Sequence, residues 1–144
     1  MLTLIPRVLR AVSLAILLGA VSVAGANEGS GTLRELEDTL VAYAASDFAA
    51  SGVRPDGFRQ VDLRFRENDQ GARTFLLCGQ AHLGEGAKAE WVDFATIRTD
   101  PYEQWLGGAA TDMCARATAV SASGTDLPLA LEAALARIPP AASP

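Results

Sequence analysis

Two cysteines, carried by a chain whose first residues read as an export leader, constrain the fold more than any other feature. Cys78 and Cys114 are the only cysteines among 144 residues. The leader is read in Met1–Ala26. Arg7 and Arg10 give a positive start, Ala11–Val23 a mostly apolar run, and Ala24 and Ala26 the small residues of an A-x-A cleavage site. A signal peptide cleaved after Ala26 is therefore expected. The thirteen residues of the apolar run fall short of the roughly 20 that a helix needs to cross a bilayer. No cysteine stands near the cleavage site to carry a lipid. Outside the cytosol two cysteines in a small domain are expected to be oxidised, so Cys78 to Cys114 is the expected bridge. Closing a loop of that length contributes roughly 3–4 kcal/mol. The expected location is periplasmic or secreted.

With 49% hydrophobic and 20% charged residues the chain has a globular rather than a disordered composition. At this length one domain is expected over 27–138, with 139–144 as a frayed tail. Without the leader the chain carries ten basic and seventeen acidic side chains, a formal −7. Such a surface repels phosphate backbones and anionic lipid heads, which excludes nucleic acid as a partner.

From Thr32, Leu33, Leu36, Leu40, Tyr43 and Ala44 recur at three- and four-residue intervals and predict an amphipathic helix. Thr32 with Glu35 reads as a capping box and Ser51-Gly52 as the stop. Glu35, Glu37 and Asp38 read as a solvated acidic face suited to the positive end of the helix. After Pro55-Asp56-Gly57 the period becomes two, with Val61, Leu63 and Phe65 alternating against Asp62, Arg64 and Arg66, which predicts a strand. Glu67–Gly71 is a turn. Thr74–Leu83 is a second strand, apolar on both faces and hence central. Gly84–Ala87 turns into a third strand over Ala89–Ile97. Asp100-Pro101 and Gly107-Gly108 bracket a turn-like segment, and Ala109–Ala119 reads as one short helix. Asp126 caps a last helix, with Pro128 in its first turn, that ends at Pro139-Pro140. The predicted fold is α+β: an N-terminal helix packed on a three-stranded antiparallel meander, one disulfide, and a C-terminal helical segment.

His82 is the only histidine. A zinc site of Cys78, His82 and Cys114 is disfavoured, because strand residues four apart lie about 13 Å apart while zinc ligands sit about 2.0–2.3 Å from the metal. No Gly-x-Ser-x-Gly elbow is present, and Gly84-Glu-Gly86 lacks the Gly-Lys-Ser/Thr of a phosphate loop. Neither metal nor cofactor is expected. Pairing the second hairpin about Glu85 sets Gln80 opposite Glu90 and His82 opposite Lys88. Arg59, Arg64, Arg66 and Arg73 form a local basic patch that can hold a carboxylate or an anionic saccharide, or that protects a sheet edge from aggregation. Trp91 is expected in the core. Tyr102 and Trp105, in a turn, are the better surface candidates. The expected binding surface is thus Trp105, Tyr102, Arg64, Arg66 and Arg73.

At Thr74-Phe-Leu-Leu-Cys78-Gly79-Gln80, followed by Trp91-Val-Asp-Phe94 and the second cysteine Cys114, the chain resembles a group of small exported bacterial proteins of unknown function. The resemblance spans about Val53 to Cys114. It departs from the group at Ala81–Gly86, where an Asn-rich, Gly-aromatic segment usually stands. It implies a helix followed by a short antiparallel sheet with one disulfide, and no reaction. Binding is preferred to catalysis: a non-catalytic module for a protein or cell-envelope component. The alternative is a small periplasmic hydrolase using His82 with Glu90 or Asp93, and the third reading a structural envelope protein.

Overall fold

Leu36, Leu40, Val41, Ala44, Ala45 and Phe48 recur at three- and four-residue intervals, with adjacent pairs at 40/41 and 44/45, and are all buried, so one face of their helix must lie against something apolar. A computed structural model describes residues 27–120 and 123–140; the expected leader, 1–26, and residues 141–144 of the expected tail lie outside the described residues. Helix α1 spans Asn27–Ala50, and strands β1 (Phe58–Glu67), β2 (Arg73–Leu83), β3 (Glu90–Ile97) and β4 (Glu103–Leu106) follow. Helix α2 (Gly108–Ala115), the two-residue strand β5 (Thr118–Ala119) and helix α3 (Leu127–Ala136) complete the chain. The strands form one antiparallel sheet in the order β4-β3-β2-β1-β5.

Alternation along β2 divides the interior in two. Leu77 and Ala81 face α1 and α3, whereas Leu76 and Cys78 face α2. The larger core centres on Phe48, Phe58 and Phe94, whose ring centroids lie 5.5–6.0 Å apart, with Leu127, Leu131 and Leu135 of α3 packed beside them. Three fully packed rings at tilted or edge-on angles bury large apolar area and fix the crossing of α1 on the sheet. Asp126 accepts from the Leu129 amide at 3.1 Å and caps α3 as expected. At the other end, Arg54 Nη2 donates to the carbonyls of Leu135 and Ile138, satisfying groups that a helix C-terminus leaves open. The smaller core joins Leu76, Cys78, Ala95 and Ile97 to Ala110 of α2, and the Cys78–Cys114 disulfide ties that helix to the central strand.

Several expectations are corrected. The meander has four strands, not three, because 103–106 pairs with 94–97, and β5 pairs with Arg64 and Phe65 on the far side. Neither addition is long enough to display a period of two. The predicted helix 109–119 stops at Ala115, because Thr118 and Ala119 beyond it are taken by the sheet. Thr32 is not an N-cap, since α1 already begins at Asn27. Glu37 is buried, not solvated, and accepts a hydrogen bond of 2.6 Å from Ser123 Oγ. Trp91 is 37% exposed. Phe94, three residues on, points into the large core, and an odd offset on a strand puts Trp91 on the opposite face. The second hairpin is offset by three residues. His82 faces Trp91 and Gln80 faces Asp93, because a turn of 3-10 helix at Gly86–Lys88 absorbs residues that a tight turn would have paired.

Candidate functional site

Helix α2 is short and covers only one end of its sheet face. Beyond it lies an open cleft of about 520 Å³ lined by several hydrogen-bonded polar side chains. Its floor is formed by Gly79, Val61 and the Cys78–Cys114 disulfide, and its walls by Gln60, Asp62, Arg64, Gln80, Asp93 and Thr111.

A β-bulge shapes this wall. Arg59 pairs with Gln80 and Asp62 with Cys78, so Gln60 and Val61 together oppose Gly79. Gln60 takes a positive φ of 53°, which non-glycine residues rarely adopt. Such bulges bend a strand and re-aim side chains. Here the extra residue leaves the Gln60 side chain exposed at the cleft, with no hydrogen-bond partner among the described residues. Gly79 is required opposite the bulge, because a Cβ would stand 2.8 Å from Val61 Cγ2.

The side chains across the floor form a relay. Thr111 donates its hydroxyl to one oxygen of Asp93, and Gln80 donates its amide to the other at 2.8 Å. Those two bonds, the hydroxyl's first, hold the Asp93 carboxyl below its ordinary value of 3.8 against the opposing effect of burial. With its nitrogen committed to Asp93, the Gln80 amide turns its oxygen to Arg59, which donates Nε at 2.8 Å. The Arg59 guanidinium then lies 4.1 Å from the Trp91 ring centroid. At the other end of the cleft Arg64 donates Nε to both oxygens of Asp62, at 2.9 and 3.0 Å, and Nη1 to the Cys114 carbonyl at 2.9 Å. The bond to Asp62 is the main reason that the Arg64 pKa is raised.

His82 stands at the rim. Its Nδ1 is 2.5 Å from Asp56 Oδ1, and its ring is 4.9 Å from that of Trp91. The backbone repeats the tie, since the His82 amide donates to Gly57 and its carbonyl accepts from Asp56. Neither Glu90, paired with Leu83, nor Asp93, held by Thr111 and Gln80, is the hydrogen-bonded partner of His82. Among the described residues no group of three or more His, Cys, Asp or Glu is placed to hold a metal ion, and both cysteines are in the disulfide.

The five residues expected to form one binding surface are dispersed. Arg64 alone lines the cleft. Arg66 borders a separate hollow of about 320 Å³ with Glu67 and Glu103. Arg73 pairs with Glu67 at 3.0 Å and lies over the Phe65 ring. Tyr102 is half-buried and stacks on Tyr43 with centroids 3.6 Å apart, away from the cleft. Trp105 is 41% exposed and donates to Glu103 from β4, outside the lining. Gln60, Gln80 and Thr111 escape a sequence reading because bulges leave no periodic mark and the hairpin register depends on the turn. The signal available was Arg59 itself, an arginine in a strand with an aromatic two strands away.

No helix among the described residues is long and apolar enough to cross a membrane. No protein family, curated protein or solved structure matches the chain.

Proposed function

We propose that this chain is an exported, non-catalytic binding module that holds a protein or cell-envelope component in the cleft beside α2. The observation that carries the reading is how the cleft's polar groups are committed. Both carboxylates, Asp62 and Asp93, already accept from protein donors, so neither is set up as a free base. Outward-facing capacity is left to Nη2 of Arg64 and the Gln60 amide within the cleft, and to the terminal nitrogens of Arg59 beside it, where Gln80 ties that side chain to the wall. An orientation held by neighbours before the ligand arrives reduces the ordering cost of binding. Export, read from the leader, and the disulfide fit such a module working outside the cytosol.

A second reading, a small hydrolase, is favoured by one observation: the imidazole of His82 is oriented by Asp56 in the manner of a base and its positioning carboxylate. The side-chain partner of the imidazole is Asp56, and no hydroxyl or thiol is hydrogen-bonded to it among the described residues. An active His82→Ala variant would remove it.

The binding reading is tested by cross-linking capture in an envelope extract with tagged protein, competed by untagged versions. Wild type and Trp105→Ala should compete equally, while Thr111→Phe, whose ring fills the cleft, should not. Full competition by Thr111→Phe would move the binding surface elsewhere.

A further inference from the structure

We infer that Arg59 is the receptor for a carboxylate, and that the cleft takes the C-terminal end of a short peptide. This rests on the binding reading above and names its ligand. The guanidinium is fixed on two sides: Nε is bonded to Gln80, and one face is laid over Trp91. Gln80 is itself oriented by Asp93, and Asp93 by Thr111, so the relay acts as a positioning device for Arg59. What is left is the terminal Nη1–Nη2 edge. It has no protein acceptor among the described residues, and no described ion pair includes Arg59. Two parallel N–H groups at that spacing match the two oxygens of a carboxylate.

The rest of the cleft limits the ligand further. Within the cleft Arg64 stands against Asp62 and Asp93, and Arg59, beside the cleft on Gln80, brings the four charges to balance, so one anionic charge meets a single free guanidinium edge and a phosphate dianion is opposed. The Gln60 amide presents a donor and an acceptor in one plane, the pattern of a peptide group. Val61 and the disulfide offer an apolar floor for a small side chain. A sugar acid fits less well, since Trp91 is flanked by Arg59 and by His82 and offers no bare ring for stacking. Arg59 faces Gln80 and Arg64 faces Leu76, four residues apart on β2. The two backbone positions are thus about 13 Å apart along the sheet, a length of about four extended residues. The peptide's last residue therefore sits on Arg59 and its upstream carbonyls run toward Arg64.

The test is a titration of the isotope-labelled protein, purified after expression of the full chain, followed by the Arg59 Nε–H and Trp91 indole resonances. Trp105→Phe assigns the indole. Probes are acetyl-trialanine, its C-terminal amide and glucuronate. The acid should shift both resonances saturably, and the amide should bind at least about ten-fold more weakly. Arg59→Lys should weaken the acid about ten-fold without unfolding, whereas Arg73→Lys, remote from the cleft, should leave it unchanged. Equal binding of acid and amide overturns the carboxylate inference and leaves the cleft as a binding site. Tighter binding of glucuronate overturns the peptide, and absence of a saturable shift with any probe overturns the inference while the capture competition still stands on its own result.

Discussion

Replacing Gly79 with alanine probes how tightly the bulge beside the cleft is wedged against the core. The new Cβ would stand 2.8 Å from Val61 Cγ2 and 2.9 Å from Phe94 Cε1, closer than real Cβ contacts come. Val61 is short and branched, and Phe94 is fully buried between Phe48 and Phe58, so neither can swing clear. Overpacking of this kind costs about 1–3 kcal/mol. Alanine also narrows the unfolded ensemble, which offsets about 0.4–1 kcal/mol. The net loss should be about 1–2 kcal/mol, or about 4–8 °C in Tm for a domain of this size. Urea unfolding followed by tryptophan fluorescence measures it. Val61→Ala in the same chain removes the nearest clash, so the double variant should be more stable than the summed single effects by at least about 0.5 kcal/mol. A Gly79→Ala protein as stable as wild type, or strict additivity with Val61→Ala, would refute the wedge.

Removing the bridge by Cys78→Ser with Cys114→Ser, across a separation of 36 residues, should cost about 3–4 kcal/mol in denaturant unfolding; a loss below about 1 kcal/mol contradicts the restraint assigned to it. Thr111→Val removes the largest cause of the lowered Asp93 pKa. A depressed carboxyl contributes stability that is present above its ordinary value and lost as pH falls through the folded one, so the gap from wild type should be full near neutrality and close below about pH 4. An unchanged gap on acidification rules this out. Burial raises the Asp47 carboxyl, the opposite sign, so that its ionisation opposes folding as pH rises. Asp47→Asn should then be more stable than wild type at neutral pH and lose that advantage in acid, as thermal melts across pH will show.

Much of the framework was legible in the residues because it follows from local rules. The stripe from Leu36 to Phe48, the glycine stop after α1, the two-faced apolarity of β2 and the Asp126 cap each depend on neighbours within a turn or a strand. The candidate site was legible only in pieces. Arg59 and Arg64 could be grouped as basic, and Asp93 could be noted as an acid. Nothing local set Gln80 against Asp93 or carried Thr111 to the same carboxylate.

The sequence by itself determined an α+β chain with a central apolar strand and a single cysteine pair, since periodicity and cysteine count act through short-range sterics and simple arithmetic. Tertiary structure alone decided the number of strands, the three-residue offset of the second hairpin, the exposure of Trp91 and the assembly of the cleft. The hairpin offset and the assembly of the cleft turn on how the backbone spends a few residues, at the bulge of Gln60 and Val61 and at the 3-10 turn before β3. On a strand a shift of one residue reverses every side chain beyond it, so small choices of backbone path decide which groups meet.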